Sequence, residues 1–104
     1  MSVEFNSVTL LLLSGAAPII ILTDNPRRCF IHIQNLGGGL LHYQFDKRPR
    51  VGLPAPNILD GHILQINISY TTPYPDGCPR GILYVAGTLT SVGVSVTVTE
   101  GFYT

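Results

Sequence analysis

"NPRRCFIHIQNLGGGLLHYQFDKRPR", residues 25–50, contains the clearest structural pattern in this sequence. Apolar and polar side chains alternate on both sides of its glycines, and a period of two is the period of a β-strand. The pattern predicts strands at 29–35 and 40–46. The side chains predicted to face inward are Cys29, Ile31, Ile33, Leu41, Tyr43 and Phe45. The arginines and histidines therefore fall at strand ends and on outward faces, and their number alone does not indicate an active site.

The glycines between these two strands predict a tight turn. A three-residue loop at 36–38 is a common hairpin connection, and glycine supplies the positive φ that such a loop needs. In the antiparallel register that places Ile33 beside Leu41, His32 stands opposite His42. Because an unperturbed histidine becomes charged near pH 6.5, a facing pair would make this surface sensitive to pH.

Alternation continues through most of the chain. Segments 3–13 and 17–22 contain continuous apolar runs, as is typical of strands covered on both faces. Segments 62–69 and 92–99 are apolar on one face only. The inward positions predicted from them are Leu64, Ile66, Ile68, Val92, Val94, Val96 and Val98. We predict an all-β chain in which residues 1–104 form a single antiparallel β-sandwich, jelly-roll-like, with about seven to eight strands and no long helix.

The composition indicates a protein that works in contact with other proteins. The chain has 104 residues, is 45% hydrophobic and only 12% charged, and has a net charge of +0. An ordinary soluble domain is about 25% charged, so a free monomer of this kind would dissolve poorly. A neutral chain without a long apolar segment gives no reason to expect nucleic acid or a membrane as a partner. We predict that a second subunit or a host surface covers the strands that are apolar on both faces.

Arrangements that carry chemistry are poorly supported. The triple glycine 37–39 lacks the lysine and helix of a phosphate-binding loop, and no serine lies in a G-x-S-x-G turn. His62 is predicted to point inward on a separate strand, and zinc needs three or four ligands. We therefore predict no enzyme activity, no cofactor and no metal site.

Two loops are candidates for partner binding. The run KRPR at 47–50 is a charge cluster in which arginine forks could meet carboxylates of a partner, although a solvated loop explains it as well. The loop at 71–81 contains three prolines, which reduce the entropy lost on docking, although a simple crossover between sheets explains it equally. The predicted partner-binding residues are Lys47, Arg48, Arg50, Tyr74 and Arg80.

Arg27 and Arg28 stand at the start of a predicted strand. There an arginine stem can lie along the sheet while its head bonds loop carbonyls, so architecture explains this pair at least as well as binding does. Cys29 and Cys78 are too few for a disulfide framework. Two free thiols in a reducing cytosol are the favoured interpretation, and pairing between them stays open.

Four blocks of the sequence follow one another in a distinctive order. They are DNPRRCFIHIQNLGGGLLHYQFD (24–46), LDGHILQI (59–66), GILYVAGT (81–88) and VSVTVTEG (94–101). This order resembles small β-sandwich structural proteins of tailed bacteriophages. In that family an N-P-x-R start leads to an I-x-I-Q-N strand and a glycine turn, and an L-x-x-G strand and a final V-x-V-T-E-G strand follow.

The resemblance implies a non-enzymatic virion protein. It implies a capsid decoration, or cement, protein that binds the lattice of major capsid protein and stabilises the head. Such a protein would be a homo-oligomer, with a trimer favoured over a dimer, made in the host cytoplasm and located on the capsid surface. A neck, tail or fibre adaptor of the same virion is the alternative. The leucine-rich first strand and the loops at 47–50 and 71–81 do not match the family.

A carbohydrate-binding module is an alternative from another class, because sandwiches often bind sugars on a face or rim. Such binding needs exposed aromatic side chains, and the chain has no tryptophan. The remaining candidates are Tyr70, Tyr74, Phe102 and Tyr103.

Overall fold

The computed structural model of the chain describes residues 2–13, 17–52, 57–58, 61–72, 77–87 and 93–104. This part of the chain forms strands and contains no helix, so it also contains none that could span a membrane. The strands are β1 (Val3–Leu12), β2 (Ile19–Leu22), β3 (Arg28–Gly37), β4 (Leu41–Phe45), β5 (Val51–Gly52), β6 (Asn57–Ile58), β7 (His62–Leu64), β8 (Ser69–Thr71), β9 (Leu83–Gly87) and β10 (Val94–Tyr103).

Eight of these strands form two antiparallel sheets of four, which confirms the predicted β-sandwich. The first sheet has the order β1-β10-β3-β8 and the second the order β2-β9-β4-β7. Strands β5 and β6 pair only with each other. Along the chain, β1 to β4 alternate between the two sheets, and so do β7 to β10. This alternation gives the jelly-roll character of the fold.

The core lies between the two inner faces. Val94, Val96 and Val98 of β10 are fully buried, as predicted, and they lie beside Ile31 and Ile33 of β3. Val92 falls outside the described residues. The opposite face contributes Leu41, Tyr43, Leu64, Leu83 and Val85. The inward orientation predicted for β3 and β4 is therefore confirmed at Ile31, Ile33, Leu41 and Tyr43.

The predicted hairpin between β3 and β4 is wrong. β3 pairs with β10 and β8, whereas β4 pairs with β9 and β7 in the other sheet. The glycines instead carry the chain across the core, with φ of 130° at Gly37 and 97° at Gly38. Because His32 and His42 have the outward parity of different sheets, they cannot face each other. The predicted pH-sensitive pair is excluded by the same geometry.

The predicted strand at 62–69 is also wrong beyond Leu64. The chain turns at 65–68, where the Ile68 amide donates to the Gln65 carbonyl at 3.0 Å and Asn67 has a φ of 66°. The turn moves the chain from β7 in one sheet to β8 in the other. As a result Ile66 and Ile68, predicted to be inward, are each 51% exposed.

Asn35 fastens both of these crossovers to β3. Its buried Nδ2 donates to the Gly39 carbonyl at 2.7 Å and to the Leu64 carbonyl at 2.9 Å. Its Oδ1 accepts a hydrogen bond from the Gly37 amide at 2.9 Å. One amide side chain thus satisfies three backbone groups where β3 and β7 end and the crossovers begin.

Candidate functional site

The predicted basic residues gather at one end of the sandwich. Lys47 and Arg48 are exposed just after β4, and the Lys47 carbonyl accepts Gln44 Nε2 at 2.9 Å. The Asp46 amide donates to the Ile82 carbonyl at 2.8 Å, which places this loop beside the segment that contains exposed Arg80. Arg50 is also exposed, and Tyr74 lies outside the described residues.

Arg80 has an architectural contact as well, because its Nε donates to the Arg28 carbonyl at 3.3 Å. Arg28 itself is fully buried and binds Glu100, with 2.7 Å between Nε and Oε2. Its other guanidinium nitrogens donate to the carbonyls of Thr23 at 2.7 Å, Pro79 at 3.1 Å and Gly81 at 2.7 Å. Arg28 therefore organises this end of the sandwich and is not available to a partner.

One exposed apolar surface of the described residues lies where β1 and β2 form neighbouring edges of the two sheets. We call it the β1–β2 side. Its exposed large side chains are Phe5, Val8, Leu11, Leu13, Ile19 and Ile20. β1 and β2 are the strands for which cover by a second subunit or a host surface was predicted, and within the described chain they do expose apolar side chains. Both are the end strands of their sheets, so their apolar side chains remain open to solvent.

A cavity of about 210 Å³ opens on this side. Leucines at 11–13 line it together with Ala17 and Ile19 of the neighbouring edge, and Ala86 and Gly87 of β9 complete it. Its lining shows that β1 and β2 lie next to each other across the mouth of the sandwich. The lining side chains are all aliphatic, so the cavity suits an apolar group.

β1 is also an unusually open edge. It pairs with β10 without a bulge from Val3 to Leu12, and the segment contains no lysine, arginine or proline. Natural edge strands usually carry such residues or bulges, or are very short, because an unprotected edge can pair with another chain. A ten-residue edge that lacks these features is suited to accept a further strand.

The opposite side of the sandwich lies where β7 and β8 form the other two edges. We call it the β7–β8 side, and its exposed large aliphatic side chains are Leu36, Ile63, Ile66 and Ile68. The ten exposed large hydrophobic side chains of the described residues thus belong to β1, β2 and β7 or to residues at the ends of β1, β3 and β7. The middle of the outer face of the first sheet is polar, with hydroxyl pairs Ser7–Thr99 at 2.8 Å and Thr9–Thr97 at 2.9 Å, and Phe5 packs on Phe30 at one end of this face.

An aromatic cluster occupies the mouth of the β7–β8 side. The ring of Tyr43 lies 5.3 Å from that of Tyr70 and 5.2 Å from that of His62, measured between centroids, and Phe45 meets it edge-on. Burial and the neighbouring Tyr70 raise the pKa of Tyr43. These four side chains and Pro79 line a cavity of about 290 Å³. Of the predicted exposed aromatics, Tyr70 is half-buried here, which leaves less ring surface for a sugar.

The three histidines lie in different surroundings. His32 bonds Thr71 Oγ1 at 2.7 Å on the first sheet, His62 stacks on Tyr43, and His42 is buried on the second sheet. Burial lowers the pKa of His42. Among the described residues no three His, Cys, Asp or Glu side chains lie close enough together to hold a metal ion.

The apolar runs at 3–13 and 17–22 predicted strands that a partner covers, but they did not identify these strands as the edges of the two sheets. The absence of lysine, arginine and proline from segment 3–12 was the available sign of an open edge.

Comparisons with known proteins extend the description of the fold. No protein-family model matches the sequence, and no curated protein sequence matches it. A solved chain of Bacillus endospore appendages, described as a novel family of disulfide-linked pili, is 15% identical. The alignment covers 97% of this chain and 88% of the appendage chain, with a TM-score of 0.50. PirA is 16% identical over 90% of this chain and 92% of its own, with a TM-score of 0.49. The likeness to the appendage chain shows a shared fold.

Proposed function

We propose that this chain is a non-catalytic structural subunit that assembles with copies of itself through the β1–β2 and β7–β8 sides. The observation that carries the proposal is the distribution of exposed large apolar side chains in the described residues, which lie on or next to the edge strands β1, β2 and β7. Contiguous exposed apolar surface rimmed by polar residues is typical of interaction sites. The polar outer face of the first sheet provides such a rim.

The two sides differ in composition, which sets the symmetry of the assembly. The β1–β2 side is aliphatic and ends in a long open strand, whereas the β7–β8 side has short strands and an aromatic cavity. Contact between two different surfaces is heterologous, so each copy can bind one neighbour on each side. Such a chain of copies closes into a ring or continues as a filament, depending on the rotation at each contact.

A closed ring, with three copies as the preferred number, agrees with a decoration protein on the capsid of a tailed bacteriophage. The order of the four sequence blocks supports this setting, and the basic end of the sandwich supplies a second surface. There Lys47, Arg48 and Arg80 are exposed. In a chain with no net charge, such a cluster would bind carboxylates of the major capsid protein. A filament would instead place the chain with appendage proteins such as the Bacillus pili, which share its fold.

Two single substitutions test the head-to-tail contact. Leu11 is 56% exposed on the β1–β2 side and Ile63 is 55% exposed on the β7–β8 side, so a glutamate at either position is compatible with folding. We expect the wild-type protein to form rings or filaments in analytical ultracentrifugation and electron microscopy. Leu11→Glu and Ile63→Glu should each remain monomeric. Gln34→Glu, which adds the same charge on a central strand, should assemble normally.

An equimolar mixture of the two blocked variants gives the sharpest result. Leu11→Glu keeps an intact β7–β8 side and Ile63→Glu keeps an intact β1–β2 side, so the mixture should form dimers and nothing larger. A wild-type protein that is monomeric at every accessible concentration would refute the proposal. Assembly by either single variant would also refute it.

Binding of the protein to the capsid is tested in a separate experiment. Phage heads depleted of the protein should retain the wild type after sedimentation, and Arg48→Ala should be retained less, with a weaker dependence on salt. Arg27→Ala is the matched control, because Arg27 is an exposed arginine outside the Lys47–Arg50 loop. Rings that form normally but never bind heads would leave self-assembly standing and remove the capsid as the partner.

A further inference from the structure

Two thiols lie in the interior at the same end of the sandwich. Cys29 is fully buried at the start of β3, with the same inward parity as Ile31 and Ile33. Cys78 is half-buried and packs against the hydrophobic core from the segment that precedes β9. Neither forms a disulfide in the structure.

Several hydrogen bonds hold the segment at 78–80 against the start of β3. The Pro79 carbonyl accepts Arg28 Nη1 at 3.1 Å, and Arg80 Nε donates to the Arg28 carbonyl at 3.3 Å. The residues directly after Cys78 therefore contact the residue directly before Cys29.

Thr72 also holds the Cys78 sulfur close to β3. Its hydroxyl accepts the Ile31 amide at 2.9 Å, and its side chain also hydrogen-bonds the Cys78 thiol. Ile31 is two residues from Cys29 on the same face of β3, so the Cys78 sulfur is held beside the strand that contains Cys29. The two thiols interact electrostatically, because Cys29 is among the groups that raise the pKa of Cys78.

We propose that Cys29 and Cys78 form an intramolecular disulfide when the folded chain meets a disulfide oxidant such as oxidised glutathione. The half-exposed Cys78 thiolate attacks one sulfur of oxidised glutathione and releases the first glutathione thiolate. The Cys29 thiolate then attacks the Cys78 sulfur of the mixed disulfide and releases the second. Two protein thiols lose two protons and two electrons, and one oxidised glutathione becomes two reduced glutathiones.

The bond would cross-link β3 of the first sheet to the segment leading into β9 of the second. In a reducing cytosol the thiols stay free, and after release into oxidising surroundings the subunit would become covalently locked. Burial raises the pKa of Cys78, so little thiolate is present at neutral pH and the reaction should accelerate as the pH rises.

Intact mass spectrometry tests the proposal directly. Reduced full-length protein incubated with oxidised glutathione at pH 8.5 should lose the mass of two hydrogens while remaining a monomer on a non-reducing gel. Digestion with trypsin should give one species that joins peptide 29–47 to peptide 51–80, and a reductant should separate them. The midpoint of thermal unfolding should rise by several degrees on oxidation and return on reduction.

Cys78→Ser and Cys29→Ser should each remove the mass loss and the rise in midpoint. The wild-type peptide map remains decisive even where a variant folds poorly. Stable addition of glutathione to Cys78 without resolution by Cys29 would overturn the proposal. Dimers that a reductant separates, with no internal link in the monomer, would overturn it as well. Neither outcome affects the self-assembly proposal, provided that assembly is measured on protein kept reduced.

Discussion

Arg28 is the side chain on which the loops at one end of the sandwich converge. Its fully buried guanidinium reaches Glu100 and three backbone carbonyls, and Asn25 Nδ2 also donates to the same Glu100 oxygen at 3.3 Å. A buried charge is tolerated only when its partners satisfy it, so the arrangement depends on every member being present.

Replacing Arg28 should therefore destabilise the fold strongly. Arg28→Met keeps the stem but leaves the Glu100 carboxylate without its cation and three carbonyls without donors. We expect a loss of about 3–5 kcal/mol in the free energy of unfolding, measured by urea denaturation. Arg28→Lys restores the charge but not the planar set of donors, and should lose less. Arg27→Ala, at the exposed neighbouring position, should change the free energy by less than about 0.5 kcal/mol.

His42 should make stability depend on pH. Burial disfavours its charged form and lowers its pKa below the ordinary histidine value of 6.5, so the unfolded chain takes up the proton first as the pH falls. The stability from neutral His42 is fully present above pH 6.5 and is lost as the pH falls through the folded-state pKa. The slope for this one proton is at most about 1.4 kcal/mol per pH unit.

Urea denaturation between pH 5 and 8 measures this slope. His42→Gln should reduce the fall in stability below pH 6.5. Gln44→Leu, which changes an outward residue of the same strand without removing a titratable group, should retain it. An identical slope in the wild type and in His42→Gln would show that His42 does not cause the dependence.

At the scale of single elements, the crossover after β3 depends on a close approach between two glycines. Gly38 has a φ of 97°, and a Cβ there would overlap the carbonyl oxygen of Gly93. Gly77 has a φ of 82°, and a Cβ there would meet no atom within 4 Å. An alanine at either position would have an unfavourable positive φ, but only at Gly38 would its Cβ also clash with the backbone.

This difference makes a matched pair of alanine substitutions informative. Gly77→Ala should cost about 1 kcal/mol from backbone strain alone. Gly38→Ala should cost about 3 kcal/mol, because the crossover must also move away from Gly93. Thermal and urea unfolding measure both values. Equal losses would mean that the crossover can shift without affecting the core.

The elements also show how far the sequence determines the fold. Alternation predicted the inward faces of β3, β4 and β10 correctly, because side-chain parity is a local property of an extended chain. It could not identify strand partners. Ile31 and Tyr43 satisfy the same pattern whether their strands are neighbours in one sheet or face each other across the core. The crossover is set by the contacts of Asn35 and Gly38 with distant segments, which no local period records.

The β1–β2 and β7–β8 sides could be predicted only in part, again because strand order is not a local property of the sequence. Low charge and double-sided apolar strands correctly pointed to surface that the chain itself leaves uncovered. The position of β1 and β2 at the sheet edges depends on the order of all eight strands. The ion pair between Glu100 and Arg28 joins residues that are far apart in the sequence, so local sequence patterns could not predict it either.

At the scale of the whole molecule, burial of the two sides links folding to assembly. A ligand that binds only the folded state raises its stability by mass action, and here the ligand is another copy of the chain. The midpoint of thermal unfolding should therefore rise with protein concentration, by several degrees over a hundredfold range. Leu11→Glu should remove this dependence while keeping the midpoint of the dilute wild type, because Leu11 is mostly solvent-exposed within one copy. Gln34→Glu should keep the dependence. A midpoint that is independent of concentration in the wild type would mean that the exposed aliphatic side chains do not meet those of another copy, whatever else covers them.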